Sequence, residues 1–473
     1  MKKNLLLILF ILLTLTGCGK KDGQLILVTE AGFAPYEYYD NGKITGVDIE
    51  IAQYIADYLN KELVIKDVAF DSIISEVRTG KSDIGAAGIS YTEERSKQVD
   101  FTINYAESKQ VVIVKKDSYI KDPSYLINQK VAVQLGTTAD SYLTENYPRL
   151  EIVREKKFLA AIQDLKDNKV VAVVMDELPA KQLITDDMVI LNEPLLIDSY
   201  GMVVKQGNSE LLEASNKVIQ DLKDNGKIDE MILNHMGIKE IAKHNSLKDR
   251  IKQTLIYDNR YKYILEGLKN TAIITIGALI IGLLIGTLTS ISINYHENTK
   301  KLKLLSILSK AYVNIIRGTP STLQLMIIYY VIFSNSNVNI VLVGILAFGI
   351  NSGAYVSEII RAGINSIDKG QQEAGYSLGL NYRQVMSNII FPQALKNILP
   401  ALGNEFITLV KETSIGAYIG IVELTKASDI IASRTYDYFL PLILIALIYL
   451  TITMILSKLV NKMERRLNND TRN

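Results

Sequence analysis

Few stretches of this sequence carry groups that could do chemistry. Gly80-Lys81-Ser82 has the ending of a phosphate-binding loop, but that loop needs a glycine five residues before Gly80, and Ser75 stands there. The segment also follows a helical pattern and precedes a strand, the reverse of the order that aims backbone N–H groups at a phosphate. Gly136-Thr137-Thr138 ends a strand and opens a helix, so its free N–H groups and the helix dipole favour an anion. Arg95 offers a planar fork suited to a carboxylate, and Asp176 closes an apolar strand. Taken singly, those two read equally well as members of surface ion pairs. No His-Glu-x-x-His or cysteine–histidine pairing occurs, so hydrolase chemistry lacks a metal or an activated thiol. One cysteine and three scattered histidines (His235, His244, His296) exclude a disulfide framework and a metal cluster.

The elements that must position these groups fall into two unlike halves. With 473 residues the prior is about three domains. Lys+Arg 52 against Asp+Glu 51 leaves a net charge of +1, so no global basic field points to nucleic acid. The charge is unevenly spread: residues 271–295, 318–357 and 438–457 contain no Asp, Glu, Lys or Arg, which rules out a purely soluble protein. At the start, Lys2 and Lys3 precede an apolar run at 5–15 too short for a comfortable span. Leu15-Thr16-Gly17-Cys18 follows, resembling a bacterial lipobox in which Cys18 becomes the lipidated first residue; the alternative is an uncleaved signal anchor. Either way the following segment is expected outside the cytoplasm.

From Leu25 to about Val204 short apolar strands alternate with helical periodicity, which predicts an α/β domain with largely parallel sheets. Extended crossings expected near 111–114 and 199–204 would divide it into two lobes around a cleft. This spacing resembles the extracytoplasmic binding proteins of amino-acid ABC importers over about 210 residues. The matching stretches are Phe33-Ala34-Pro35-Tyr36-Glu37, Gly46-Val47-Asp48, the run from Gly80 through Asp83, Gly88, Ser90 and Thr92 to Arg95, Asp100-Phe101-Thr102, Gln134-Leu135-Gly136-Thr137-Thr138, and Val173-Val174-Met175-Asp176. The resemblance implies two α/β lobes closing over a free amino acid. A zwitterion needs a cation and an anion in one small cleft. Arg95 with Thr137 and Thr138 would take the carboxylate; Asp176, the Gly88 carbonyl and the Ser90 hydroxyl would take the ammonium. Phe33 and Phe70 match the family's apolar walls. Glu30 and Gln134 match positions that read the side chain, favouring glutamine, arginine, lysine or cystine over glutamate or aspartate.

Beyond a polar linker at 238–262, hydropathy predicts spans at 271–295, 311–333, 340–360, a weaker one at 398–421 interrupted by Glu405, Lys411 and Glu412, and one at 438–457. Lysines and arginines gather in the loops after the first and third spans and at the C-terminus, which places those segments in the cytoplasm. This half resembles the permease subunit of polar-amino-acid ABC importers. The signature is Glu373-Ala374-Gly375-Tyr376-Ser377-Leu378-Gly379 followed by Ile390-Phe391-Pro392-Gln393-Ala394. In relatives this segment is the coupling helix that docks in a groove of the ATPase, so Glu373, Ala374, Gly379 and Pro392 are its candidate residues. Gly375 departs from relatives that carry a second alanine.

The expected architecture is therefore a signal segment at 1–18, a two-lobed binding domain at 24–237, the linker, and an all-α membrane domain of about five helices at 263–466. The resemblance implies a receptor and permease in one chain, no cofactor of its own and no enzyme activity. A separate cytoplasmic ATPase would use ATP and Mg, and the permease would pair as a homodimer in a bacterial cell membrane. The alternative is a ligand-gated channel with similar lobes. Against it, the spans all follow the completed domain, and no Thr-Val-Gly-Tyr-Gly-like filter occurs.

Overall fold

The structure, a computed structural model, describes residues 23–40, 43–236, 247–333, 338–435 and 437–469. The signal segment with Cys18, and residues 237–246 of the linker region, lie outside the described residues.

The first lobe is built on the apolar strand β1 (Gln24–Thr29), whose residues from Leu25 onward are buried as expected of a strand covered on both faces. A hairpin of β2 (Tyr38–Asp40) and β3 (Lys43–Thr45) leads into the helix Val47–Tyr58, which buries Val47, Ile51 and Ile55 along one stripe. Next come β4 (Glu62–Asp67), β5 (Ile84–Gly85) and β6 (Val99–Phe101). The second lobe holds β7 (Ala106–Lys115), β8 (Lys130–Gln134), β9 (Glu151–Glu155), β10 (Ala172–Asp176), β11 (Met188–Ile190) and β12 (Leu196–Tyr200), and β13 (Val203–Lys205) returns to the first. The sheet orders are β4-β1-β5-β13-β6 and β11-β7-β10-β8-β9, with β12 beside β7. The chain thus crosses between the lobes at 102–105 and at 201–202. The crossing expected at 111–114 is instead the middle of β7: Val111, Val112, Ile113 and Val114 are buried because β7 pairs with β10, β11 and β12 and has no free edge there.

Three helices are long and apolar enough to cross a membrane among the described residues: Tyr261–Thr299, Ile340–Asn365 and Phe439–Leu467. The other two expected spans are broken. The one at 311–333 divides into Lys303–Gly318 and Ser321–Ile332, because Pro320 cannot donate and pushes Thr319 into extended backbone. The one at 398–421 is the helix Phe391–Glu412, which tightens into a 3-10 segment, Thr413–Ile419, ended by Gly420 at φ 85°. Glycines let the first two long helices touch: a Cβ on Gly286 would sit 2.8 Å from the Gly353 carbonyl oxygen.

The binding domain sits directly on the membrane domain. Lys426, on the helix Leu424–Thr435, meets Asp67 at 2.9 Å with both side chains buried, and the Tyr39 hydroxyl donates to the same carboxylate at 2.9 Å. Burial pushes the Asp67 carboxyl up, but Lys426 and Lys157 outweigh it and hold it below the usual range. Lys81, from the false phosphate-loop motif, has a docking role: its Nζ donates to the Phe333 carbonyl at 2.9 Å.

Gly46 enters the first long helix of the lobe at φ 131°, and an added Cβ would lie 2.1 Å from the Tyr36 carbonyl oxygen. Gly46→Ala should therefore cost about 3 kcal/mol, lowering the first thermal transition of the full chain by about 6–10 °C. Gly207→Ala, at φ 82° but with open space around it, should cost about 1 kcal/mol. Equal shifts for both variants would contradict the packing described at Gly46.

Candidate functional site

The cleft is assembled from strand ends and helix starts of both lobes. Asp176 ends β10, Asp198 lies on β12, and both lean toward β7, whose Gln110 Nε2 donates to Asp176 at 2.7 Å and to Asp198 at 3.3 Å. Ser108 donates to Asp176 at 2.8 Å, and the Tyr200 hydroxyl donates to it as well. From the first lobe, the Ser90 hydroxyl donates to Asp198 at 2.6 Å. Burial, then the neighbouring Asp198 charge, pushes the Asp176 carboxyl up to about 7, against the hydrogen bonds it accepts. Burial also raises Asp198, while Ser90, Gln110 and Arg95 oppose the rise.

Arg95 lies across the lobe junction. Its guanidinium donates to the Ser90 carbonyl at 2.6 Å and the Gly136 carbonyl at 2.8 Å, and lies over the Phe70 ring at 5.6 Å. It therefore clamps the lobes beside the central cavity rather than lining it. Thr137 caps the helix Thr138–Asn146, accepting from the Asp140 N–H at 3.3 Å, and Thr138 faces the cavity. Phe33 stacks on Phe158 at 5.7 Å, and both line the cavity with Phe70. Gly88 (φ 54°) donates its N–H to Asp48 at 3.1 Å; a Cβ there would strike the Phe33 ring at 2.6 Å.

The two residues expected to read a side chain are engaged already. Glu30 is paired with Lys157 of the second lobe at 3.0 Å, and burial raises its carboxyl against the pull of that lysine. Gln134 is buried, its amide donating to the Lys156 carbonyl at 2.9 Å. Glu37, fully buried at the cavity wall, is pushed well above the usual carboxylate range by burial and then by Asp48, which favours its protonated form. The space left between the closed lobes is about 10 Å³, room for one water, so a larger solute enters only when the lobes part.

Sequence reasoning missed Asp198, Gln110, Ser108, Tyr200, Phe158 and Lys157. Phe158 and Tyr200 have side chains common in cores, and nothing near Lys157 in the sequence marks its partner. Asp198 had one signal, an acid inside a strand otherwise bound for burial.

On the membrane side, Glu373 and Ala374 are exposed on the short helix Lys369–Ser377. Gly379 at φ 78° and the Leu380 N–H donating to the Gly375 carbonyl at 3.2 Å close the helix in a Schellman-type turn. Gly375 is buried, and a Cβ there would lie 2.9 Å from Val385, so glycine suits this close packing. Pro392 follows directly on the π-helical turn Met386–Ile390 and interrupts the hydrogen-bond ladder where that turn passes into the helix Phe391–Glu412.

Two α/β lobes hinged by two crossings, joined to a helical membrane domain, define a receptor and a membrane component in one polypeptide. Residues 25–238 match the bacterial extracellular solute-binding proteins, family 3, and residues 278–469 match the inner membrane component of binding-protein-dependent transport systems. The chain is 37% identical over 215 residues to a permease named for glutamine transport in Rickettsia prowazekii (strain Madrid E), covering 45% of this chain and 96% of that one. It is 40% identical over 207 residues to the arginine transport system permease protein of Bacillus subtilis (strain 168), covering 43% and 92%. A solved amino acid ABC transporter substrate-binding protein of Streptococcus pneumoniae, bound to L-arginine, is 34% identical over 46% of this chain and 95% of that one, with a TM-score of 0.44. The chain belongs to the amino-acid ABC transporters, as a family 3 solute-binding protein fused to its permease domain. This is a family of transporters, not of enzymes.

Asp176 favours its protonated form in the folded cleft, so its contribution to stability is full below about pH 4 and is lost as pH rises toward about 7. Asp176→Asn should remove that loss. Compared by thermal unfolding of the full chain, the variant should gain stability on the wild type between pH 4.5 and pH 8; a difference independent of pH would contradict the assignment.

Proposed function

We propose that the chain captures a free polar or cationic amino acid in its cleft outside the cytoplasm and hands it to its own membrane domain. That domain pairs with a second copy and is driven by a separate cytoplasmic ATPase that uses ATP and Mg. The observation that carries this reading is the opposition of charge at the lobe junction. Arg95 from the first lobe meets, from the second, the helix start at Thr137-Thr138 and the carboxylates Asp176 and Asp198, so both charges a zwitterion requires converge at one junction. Glu30 and Gln134 lie where a side chain would reach, and relatives named for glutamine and arginine transport support glutamine, arginine, lysine or cystine as the class of substrate.

Part of the mechanism follows from the closures that cross the cleft. Ser90 to Asp198, Arg95 to the Gly136 carbonyl and Lys157 to Glu30 all join one lobe to the other. Parting the lobes breaks all three, and a bound amino acid replaces the first two with its own ammonium and carboxylate. On the cytoplasmic side, Glu373, Ala374 and the exposed Leu378 form the face that docks on the ATPase, with the turn at Gly379 setting its angle. The basic loops support this orientation, and lipidation of Cys18 would tether the segment ahead of the lobes.

In calorimetry on the full chain, Arg95→Ala should weaken amino-acid binding by about 100-fold or more, since a partly buried carboxylate loses its cation. Binding within about threefold of wild type would refute the constellation. Gly379→Val should leave that affinity unchanged while abolishing ligand-stimulated ATP hydrolysis by the partner, because a β-branched residue resists φ 78°. Normal stimulation would show that this segment is not the coupling helix.

A further inference from the structure

A second chamber, of about 430 Å³, lies between the lobes and the membrane helices. Its lobe side is formed by Ala69, Lys156 and Lys157, and its membrane side includes Tyr418, Lys426 and Asp429. Lys157 and Lys426 are already committed, to Glu30 at 3.0 Å and to Asp67 at 2.9 Å. Among the described residues, Lys156 and Asp429 make no salt bridge; Lys156 is held over the Tyr418 ring at 3.3 Å. The chamber therefore presents a cation held only by a ring face and an anion that feels Lys157 without an ion pair to it, and Thr322, Ser414 and Thr425 also line it.

The segment Lys156-Lys157-Phe158, beside Ala69-Phe70 of the first lobe, is the wall between this chamber and the cleft. Phe158 faces the cleft, stacked on Phe33, while the two lysines face the chamber. The wall belongs to the second lobe and its partners Phe33 and Glu30 to the first, so lobe opening draws it aside and joins the two spaces. Lys157 leaves Glu30 in the same movement, and its Nζ becomes free to guide a carboxylate through the opening.

We infer that this chamber is a transfer site for a zwitterionic amino acid, its carboxylate against Lys156 and its ammonium against Asp429, entered from the cleft when the lobes part. The inference rests on the reading of the chain as an amino-acid importer. A volume of about 430 Å³ falls within the range of small-molecule sites, and the exposed Lys156 and half-buried Asp429 make it weaker than the enclosed cleft.

The test is equilibrium dialysis of the full chain in lipid nanodiscs with radiolabelled L-arginine and, in parallel, L-glutamine. Wild type should show a tight and a weaker class of site for at least one of them. Asp176→Asn should remove the tight class and spare the weaker one. Asp429→Asn should weaken the weaker class at least tenfold and leave the tight class within twofold. Lys156→Met, a change at an exposed position that folding tolerates, should do the same. A single class in wild type, or a weaker class unchanged in both chamber variants, overturns the transfer site while leaving the importer reading intact. Absence of both classes for both amino acids overturns the two together.

Discussion

Burial of acid is the constraint around which the receptor half is organised. Glu30, Glu37, Asp48, Asp176 and Asp198 converge near the lobe junction, and Arg95 and Lys157 are the cations facing them there. Removing so many carboxylates from water is affordable only if some keep their protons and the others gather donors. Glu37 takes the first course. Asp176 takes the second, with Ser108, Gln110 and Tyr200, and still sits far above the ordinary range. An ammonium arriving between Asp176 and Asp198 would supply the positive charge that this arrangement lacks.

The same bookkeeping of charge runs outward to the membrane. Glu30 faces Lys157, Lys157 feels Asp67 and Asp429, and Asp67 holds Lys426 of the membrane domain. Lobe closure and docking are thus adjacent links in one row of alternating charges. A movement that withdraws Lys157 from Glu30 also changes the field at the docking pair.

Much of this was legible in the sequence, and the losses have identifiable causes. The two lobes, the anion-favouring turn at Thr137 and the glycine turn at Gly379 follow from local rules that act within a few residues. The lobe crossing was misplaced because a buried run such as 111–114 looks the same in a central strand as in an extended connector. Two spans were drawn as single helices because hydropathy is blind to the break that Pro320 imposes and to the tightening at 413–419. Asp198, Gln110 and Lys157 escaped notice because their importance is created by pairing across 22 to 127 positions of sequence: Asp176 to Asp198, and Glu30 to Lys157.

The central claim is that the amino acid's ammonium is received by a carboxylate pair that holds a proton until it arrives. Calorimetric titration of L-arginine or L-glutamine into the full chain at pH 6, repeated in buffers of different ionisation enthalpy, counts the protons exchanged on binding. With Asp176 raised to about 7, binding should release close to one proton, and the release should vanish in Asp176→Asn. Tight binding with no proton exchanged at pH 6 would contradict the account.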